Sequence, residues 1–172
     1  MTKYKHLEKR ELFRNNHITV YSEKLQLPNE KIVDWTFTGK KEAVGIVASI
    51  DDDTILMVKQ YRPAVKKVTM EIPAGLVEEG EDPQEAALRE LEEETGYKAG
   101  KIEKMCEFYN SPGITDGKFY IYYAEELKKT HQHLDDDEFL EVERIPIKDI
   151  NITNLSDAKT MLAVSFINHK RR

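Results

Sequence analysis

Three glutamates, Glu90, Glu93 and Glu94, are the residues of this chain whose type and spacing most clearly call for chemistry. They follow a helix start: Asp82 can cap, Pro83 suits the first helical position, and Glu85 stands where a capping box places a carboxylate. Thr95-Gly96 supplies the stop, with glycine free to take the left-handed C-terminal position. On the helix between them, Glu90 and Glu93 are three apart and Glu90 and Glu94 four apart, so they share a face. Like charges at that spacing repel by roughly 0.2–0.5 kcal/mol a pair. They also lie in the later half of the helix, where its dipole disfavours anions. Arg89 can pair with Glu93, but one cation does not neutralise the cluster. A hard divalent cation does: Mg²⁺ or Mn²⁺ takes carboxylate oxygens and keeps waters or substrate phosphates as further ligands.

The elements that must position these acids are legible on either side. His17–Leu27 and Lys31–Thr38 read as a hairpin turned at Pro28-Asn29. Ala43–Ile50 and Thr54–Tyr61 are apolar, β-branched strands joined by Asp51-Asp52-Asp53. Val68–Ile72 is a short strand halted by Pro73-Ala74-Gly75, and Gly75 lets a loop backbone approach the acidic helix. Lys101–Phe108, Lys118–Ala124 and Phe139–Ile145 read as further strands. A closing helix is expected from Ser156 as N-cap, with Ala158, Met161, Leu162, Ser165 and Phe166 on one face and the basic tail His169–Arg172 frayed. The strands and helices read as an α+β or α/β mixture with more strand than helix, with residues 1–40 as an N-terminal antiparallel appendage and 41–172 as the main domain.

Composition narrows the class. The chain has 172 residues, 40% hydrophobic and 34% charged, with a net charge of −6. Gly75–Tyr97 alone carries −8, so the remainder is slightly basic. No apolar run approaches the ~20 residues of a membrane span. The N-terminal MTKYKHLEKRELF has no apolar core, so no signal peptide is expected. The single cysteine, Cys106, cannot build a disulfide framework. A cytoplasmic protein is the expectation. No basic patch interleaved with aromatics argues for nucleic acid, and His131-x-His133 reads as loop rather than ligand.

The segment GLVEEGEDPQEAALRELEEETGY resembles the Nudix box, G-x5-E-x7-R-E-U-x-E-E-x-G-U, with U a bulky apolar residue. Gly75, Glu81, Arg89, Glu90, Leu91, Glu93, Glu94 and Gly96 match; Tyr97 stands where an aliphatic residue is more usual. The resemblance implies an α/β/α sandwich with a mixed sheet, and hydrolysis of a diphosphate linked to another moiety. It implies that Glu90 and Glu94 are metal ligands and that Glu93 binds metal or helps activate water. Arg89 would orient Glu93, and the Ala74 carbonyl would be a further ligand. Glu81 either joins a metal shell or supports the helix.

Three stretches outside the box resemble the ADP-ribose pyrophosphatase branch. Val58-Lys59-Gln60-Tyr61-Arg62-Pro63, followed by Glu71-Ile72-Pro73-Ala74-Gly75, implies substrate contact by Arg62. Ser111-Pro112-Gly113 places Pro112 fifteen residues after Tyr97, a mark of that branch. Asp137-Glu138-Phe139-Leu140-Glu141-Val142 implies a loop that delivers a catalytic base, with Glu138 first and Asp137 and Glu141 behind it. Trp35, the single tryptophan, would stack on adenine, with Phe37 and Tyr21 as alternatives. The branch also implies a homodimer built through the N-terminal strands. One departure concerns the sugar: an acid often stands four residues beyond the Ser-Pro-Gly glycine, and here that place is Gly117, next to Asp116. ADP-ribose, cleaved to AMP and ribose 5-phosphate, is the expected substrate. GDP-mannose or ADP-glucose is the alternative, and a Nudix-fold sensor that binds without hydrolysing is a third.

Overall fold

The computed structural model describes residues 3–16 and 18–170. His17, where the first hairpin strand was expected to begin, and Arg171 and Arg172 of the basic tail lie outside them. Among the described residues twelve strands and two α-helices follow in order: β1 (Lys5–Arg14), β2 (Ile18–Gln26), β3 (Ile32–Lys40), β4 (Ala43–Ser49), β5 (Thr54–Arg62), β6 (Lys67–Glu71), β7 (Ala74–Leu76), α1 (Pro83–Thr95), β8 (Tyr97–Lys98), β9 (Lys101–Tyr109), β10 (Lys118–Glu125), β11 (Lys128–Lys129), β12 (Leu140–Pro146) and α2 (Ala158–Lys170). The α/β class expected from the sequence is the one observed. No described helix is long and apolar enough to cross a membrane.

The chain forms two compact units. One takes the residues up to Glu42 together with Phe108–Phe119; the other takes Ala43–Glu107 and the chain from Tyr120 onward. In the first, β1, β2 and β3 make an antiparallel sheet in that order. β1 escaped the sequence reading for a physical reason. All ten of its residues are exposed, so no face is buried and no alternation is written into it.

The second unit is organised around β5, which pairs antiparallel with β12, β4 and β6. Ile55, Leu56, Met57 and Val58 are almost completely buried, the mark of a strand covered on both faces. β6 runs back along the outer half of β5, and the chain then changes partner: β7 pairs with β4 instead. Backbone groups at such a switch lose their ladder partners and need others. The Pro73 carbonyl accepts from Ile46 N–H at 2.8 Å, and Ile72 N–H donates to the Thr160 hydroxyl of α2 at 2.9 Å.

Helix α1 starts and stops as its sequence requires. Asp82 accepts from Gln84 N–H, Pro83 opens the helix, and Gly96 closes it at φ 70° with its N–H on the Glu92 carbonyl. Ala86, Ala87 and Leu91 bury against Val44, Ile46 and Tyr122. Tyr97, the departure from the aliphatic pattern, is also core, and its hydroxyl accepts from Arg144 at 2.6 Å. A tyrosine is tolerated because its polar end reaches a partner.

Helix α2 corrects three expectations. Its cap is Asp157, not Ser156: the Asp157 carboxylate accepts from Thr160 N–H at 3.0 Å. Its buried face is Thr160, Ala163, Val164 and Ile167, whereas Ala158, Ser165 and Phe166 are exposed. Apolar residues surround this helix, so hydrophobicity alone does not fix its phase; the polar Thr160 at the centre of the buried face points the reading the wrong way. His169, expected in a frayed tail, is helical.

Candidate active site

The acidic helix packs against the partner switch at Pro73-Ala74-Gly75. Glu94 is 2% exposed, and its carboxylate accepts from Ala74 N–H at 2.9 Å. Glu90 lies against Gly75 so closely that a β-carbon there would stand 1.9 Å from the Glu90 carboxyl carbon. That contact is the local reason for glycine at this position.

Arg89 organises the rest of the cluster. Its Nη1 donates to Glu90 and Glu93, both at 2.8 Å; its Nε and Nη2 donate to Glu81 at 2.9 and 3.0 Å; and Nη2 also reaches the Leu76 carbonyl. The bonds to Glu81 foremost hold its own pKa far above the ordinary arginine value. Glu81 also accepts from Glu78 N–H, so it steadies the turn before α1 and the arginine together.

Electrostatics distinguishes these acids. Burial pushes the Glu90 carboxyl up to about 7, against the pull of Arg89 and with the help of Glu93 and Glu138. Burial pushes Glu94 up to about 9; the Ala74 N–H and Arg62 oppose it, and Glu138 and Glu90 add to it. Glu138 is raised as well, by burial and Asp135, while a hydrogen bond with Glu94 acts the other way. The loop before β12 therefore brings Glu138 within reach of Glu94, and Arg62 lies close enough to act on both.

The loop is tied to the end of α1. Thr130 N–H donates to the Gly96 carbonyl, His133 N–H to Glu93, and the Gln132 amide to Glu94, at 2.7, 2.9 and 2.6 Å. Helix carbonyls that lack intrahelical partners are satisfied by the segment that leads to Glu138. Asp137 and Glu141 flank Glu138 in sequence, and Glu141 helps line a cavity of about 460 Å³ with Glu138, Phe139 and Tyr61.

Arg62 does not stand free. Its Nε and Nη2 donate to the two oxygens of Glu71 at 2.8 and 2.7 Å. Lys159 and Thr69, which help complete this cluster, were missed in the sequence, and Glu71 stood there only within a quoted stretch, with no role of its own. The available signal was an acid on the inward side of β6, next to Pro73 and opposite an arginine-bearing strand.

The remaining candidates belong to the first unit. Trp35 is 43% exposed on β3, with its ring edge-on to Phe37 at 6.4 Å and 6.3 Å from Tyr4. Pro112 lines a cavity of about 330 Å³ with Tyr21, Phe37, Tyr109 and Asp116, and the Tyr21 hydroxyl donates to Asp116 at 3.2 Å.

The donor set suits a hard cation. Among the described residues no group of three or more His, Cys, Asp or Glu forms a ready metal centre. Glu90, partly buried, and Glu94, buried, nonetheless have their carboxyls raised by burial and by each other, and the β-carbon that would fill the space at Glu90 is absent at Gly75.

The NUDIX domain matches residues 39–164, and the chain belongs to that family. It is 39% identical to the ADP-ribose pyrophosphatase of Bacillus subtilis, over 96% of this chain and 93% of that one. It is 34% identical to the methanol dehydrogenase activator of Bacillus methanolicus, over 95% and 91%. The crystal structure of an ADP compounds hydrolase shares the fold, with a TM-score of 0.85 at 24% identity over 98% of this chain and 94% of that one. The protein is a Nudix pyrophosphatase, an enzyme of the hydrolase class.

Proposed function

We propose that the protein hydrolyses the diphosphate bridge of ADP-ribose, adding water across one P–O bond to give AMP and ribose 5-phosphate. The observation that carries the reading is the convergence of Glu90, Glu94 and Glu138 beside the charge of Arg62 within one compact unit. The similarity to the Bacillus subtilis ADP-ribose pyrophosphatase supports the choice of substrate.

Glu90, Glu94, Glu93 and the Ala74 carbonyl would hold Mg²⁺, or Mn²⁺ in its place. Bound there, the cation supplies charge for the phosphate oxygens and acidifies water. The chain's own groups do the rest. Glu138 accepts the proton of the attacking water, with burial raising its affinity for that proton. Arg62 binds the diphosphate, Arg89 holds Glu93 and Glu90 in place, and Trp35 and Pro112 contact the nucleoside. The protein works as a cytoplasmic homodimer through its N-terminal strands; the exposed Leu7, Leu12 and Phe13 of the edge strand β1 support that assembly.

A second reading, another nucleoside diphosphate sugar such as GDP-mannose or ADP-glucose, is favoured by Gly117 in the place of the expected acid and by the tie of Asp116 to Tyr21. Purified protein is incubated with ADP-ribose, ADP-glucose, GDP-mannose and UDP-glucose, with Mg²⁺ and with EDTA, and the products are identified. ADP-ribose is expected to give the highest kcat/KM, with AMP released only in the presence of metal. No AMP at micromolar enzyme overturns the reading.

A further inference from the structure

Glu71 is 2% exposed at the end of β6, and its carboxylate is held from every side. Arg62 Nε donates to Oε1 and Arg62 Nη2 to Oε2, at 2.8 and 2.7 Å. The Thr69 hydroxyl donates to Oε1, and Lys159 to Oε2. Each oxygen thus has one bond from the guanidinium and one from elsewhere, so the carboxylate plane cannot turn without breaking bonds on both sides. A bidentate guanidinium lies in the plane of its carboxylate, so the plane of Arg62 is fixed as well. Its Nε/Nη2 edge is consumed, and the N–H groups of Nη1 with the second N–H of Nη2 remain on the other edge. The Arg62 side chain is 40% exposed, whereas that of Lys159 is 11% exposed.

Lys159 is itself fixed. It pairs with Asp157 at 3.0 Å; Asp157 caps α2 and accepts from the Thr160 hydroxyl; and Thr160 accepts from Ile72 N–H. The first turn of α2 thereby fastens both the Glu71 carboxylate and the strand end that becomes Ala74-Gly75. A surface ion pair between Arg62 and Glu71 would need none of this. Two long side chains left free pay rotamer entropy for each productive geometry, and a phosphate-binding fork gains when that entropy is already removed.

We propose that Glu71, Thr69 and Lys159 are positioning residues that lock one edge of Arg62 and present its other edge to the diphosphate of the substrate. This rests on the reading that Arg62 binds that diphosphate. Lys159 lies on the last helix, far in sequence from the box, and reaches Arg62 through Glu71.

The test is a double-mutant cycle on the full chain with ADP-ribose and Mg²⁺: wild type, Lys159→Met, Arg62→Ala and the double variant, with Lys159→Arg as the conservative control and thermal melts of each. Lys159→Met should raise KM about tenfold with kcat within about threefold. Lys159→Arg should restore KM to within about twofold, and Lys159→Met should add nothing once Arg62 is gone. Thr69→Val, which removes the Oε1 bond without touching a charge, should move KM in the same direction and serves if Lys159→Met does not fold. An unchanged KM in Lys159→Met and Thr69→Val, or effects of Lys159→Met and Arg62→Ala that simply multiply, overturns the proposal. If wild type does not turn over ADP-ribose, the functional reading fails, and the same cycle is read as Mg-ADP affinity by calorimetry. Coupled losses of ADP affinity then uphold the clamp, and uncoupled or absent losses reject it.

Discussion

Replacing Glu71 by glutamine should destabilise the protein by an amount that depends on pH in a calculable way. Burial alone would raise this carboxyl, but the Arg62 hydrogen bonds, the Lys159 charge and hydrogen bond, and the Thr69 hydroxyl outweigh it and hold the group at about 2, from an ordinary value of 4.5. A folded value below the unfolded one means that the unfolded chain binds the proton more readily. The stabilisation is therefore fully present above about pH 4.5 and is lost as pH falls through about 2. Each unit is worth a little over 1 kcal/mol, so ionised Glu71 contributes about 3 kcal/mol at pH 7 and about 1 kcal/mol at pH 3. Glutamine resembles the protonated carboxyl in size and charge, so the gap between wild type and Glu71→Gln should follow those numbers. For a chain of this length, about 3 kcal/mol is a Tm loss of roughly 6–12 °C at pH 7. Urea melts of both proteins at pH 7, 5, 4 and 3 measure the gap directly. A gap that stays constant from pH 7 to pH 3, or that is below about 1 kcal/mol at pH 7, would refute the assignment of Glu71 as an ionised, cation-bound acid.

Glu94→Gln keeps an acceptor for Ala74 N–H, so its melt should match or exceed that of wild type, while the lost anionic ligand should lower kcat by ~100-fold or more; near-wild-type turnover sinks the ligand assignment. Gly75→Ala drives a β-carbon into the Glu90 carboxylate, whose end can swing away; activity should fall at least ~10-fold with less than about 1 kcal/mol lost in stability, and the opposite pattern would mean that Glu90 is structural. Trp35→Ala should raise KM for ADP-ribose by about tenfold with little change in kcat, the ordinary worth of a base stacked on an aromatic ring; an unchanged KM removes Trp35 from the substrate site.

The box was legible because its geometry is local. Spacing on one helix puts Glu90, Glu93 and Glu94 together whatever surrounds them, and Asp82, Pro83 and Gly96 fix the helix without tertiary help. The direction of Arg89 was only half legible: its pairing with Glu93 follows from helix spacing, but its bonds to Glu81 and Leu76 depend on how the preceding loop folds back. Helix α2 failed for the converse reason. Thr160 earns its buried place by satisfying a backbone N–H stranded at the switch from β6 to β7, and nothing near Thr160 in sequence announces that need. Glu71 and Lys159 meet across 88 positions of chain, so their pairing is a product of topology alone.

Burial by itself does not say what an acid is for; its counter-charge does. Glu71 and Glu94 are equally buried, at 2% exposure each, and burial is the largest single influence on both. One settles at about 2 and the other at about 9. The difference is that Glu71 meets two cations and a hydroxyl, whereas Glu94 meets one backbone N–H and further carboxylates. A stable fold needs an acid like Glu71 to be paired, and this chain has paired it fully. The same chain had an arginine within reach of Glu94 and spent both of its fixed bonds on Glu71 instead. Leaving Glu90 and Glu94 short of positive charge costs stability in the protein alone, and a cation bound as proposed would recover it. The −8 segment is therefore best understood as two populations: acids such as Glu81, consumed by Arg89, and acids such as Glu94, held by a backbone N–H while Arg62 acts on it only through its charge.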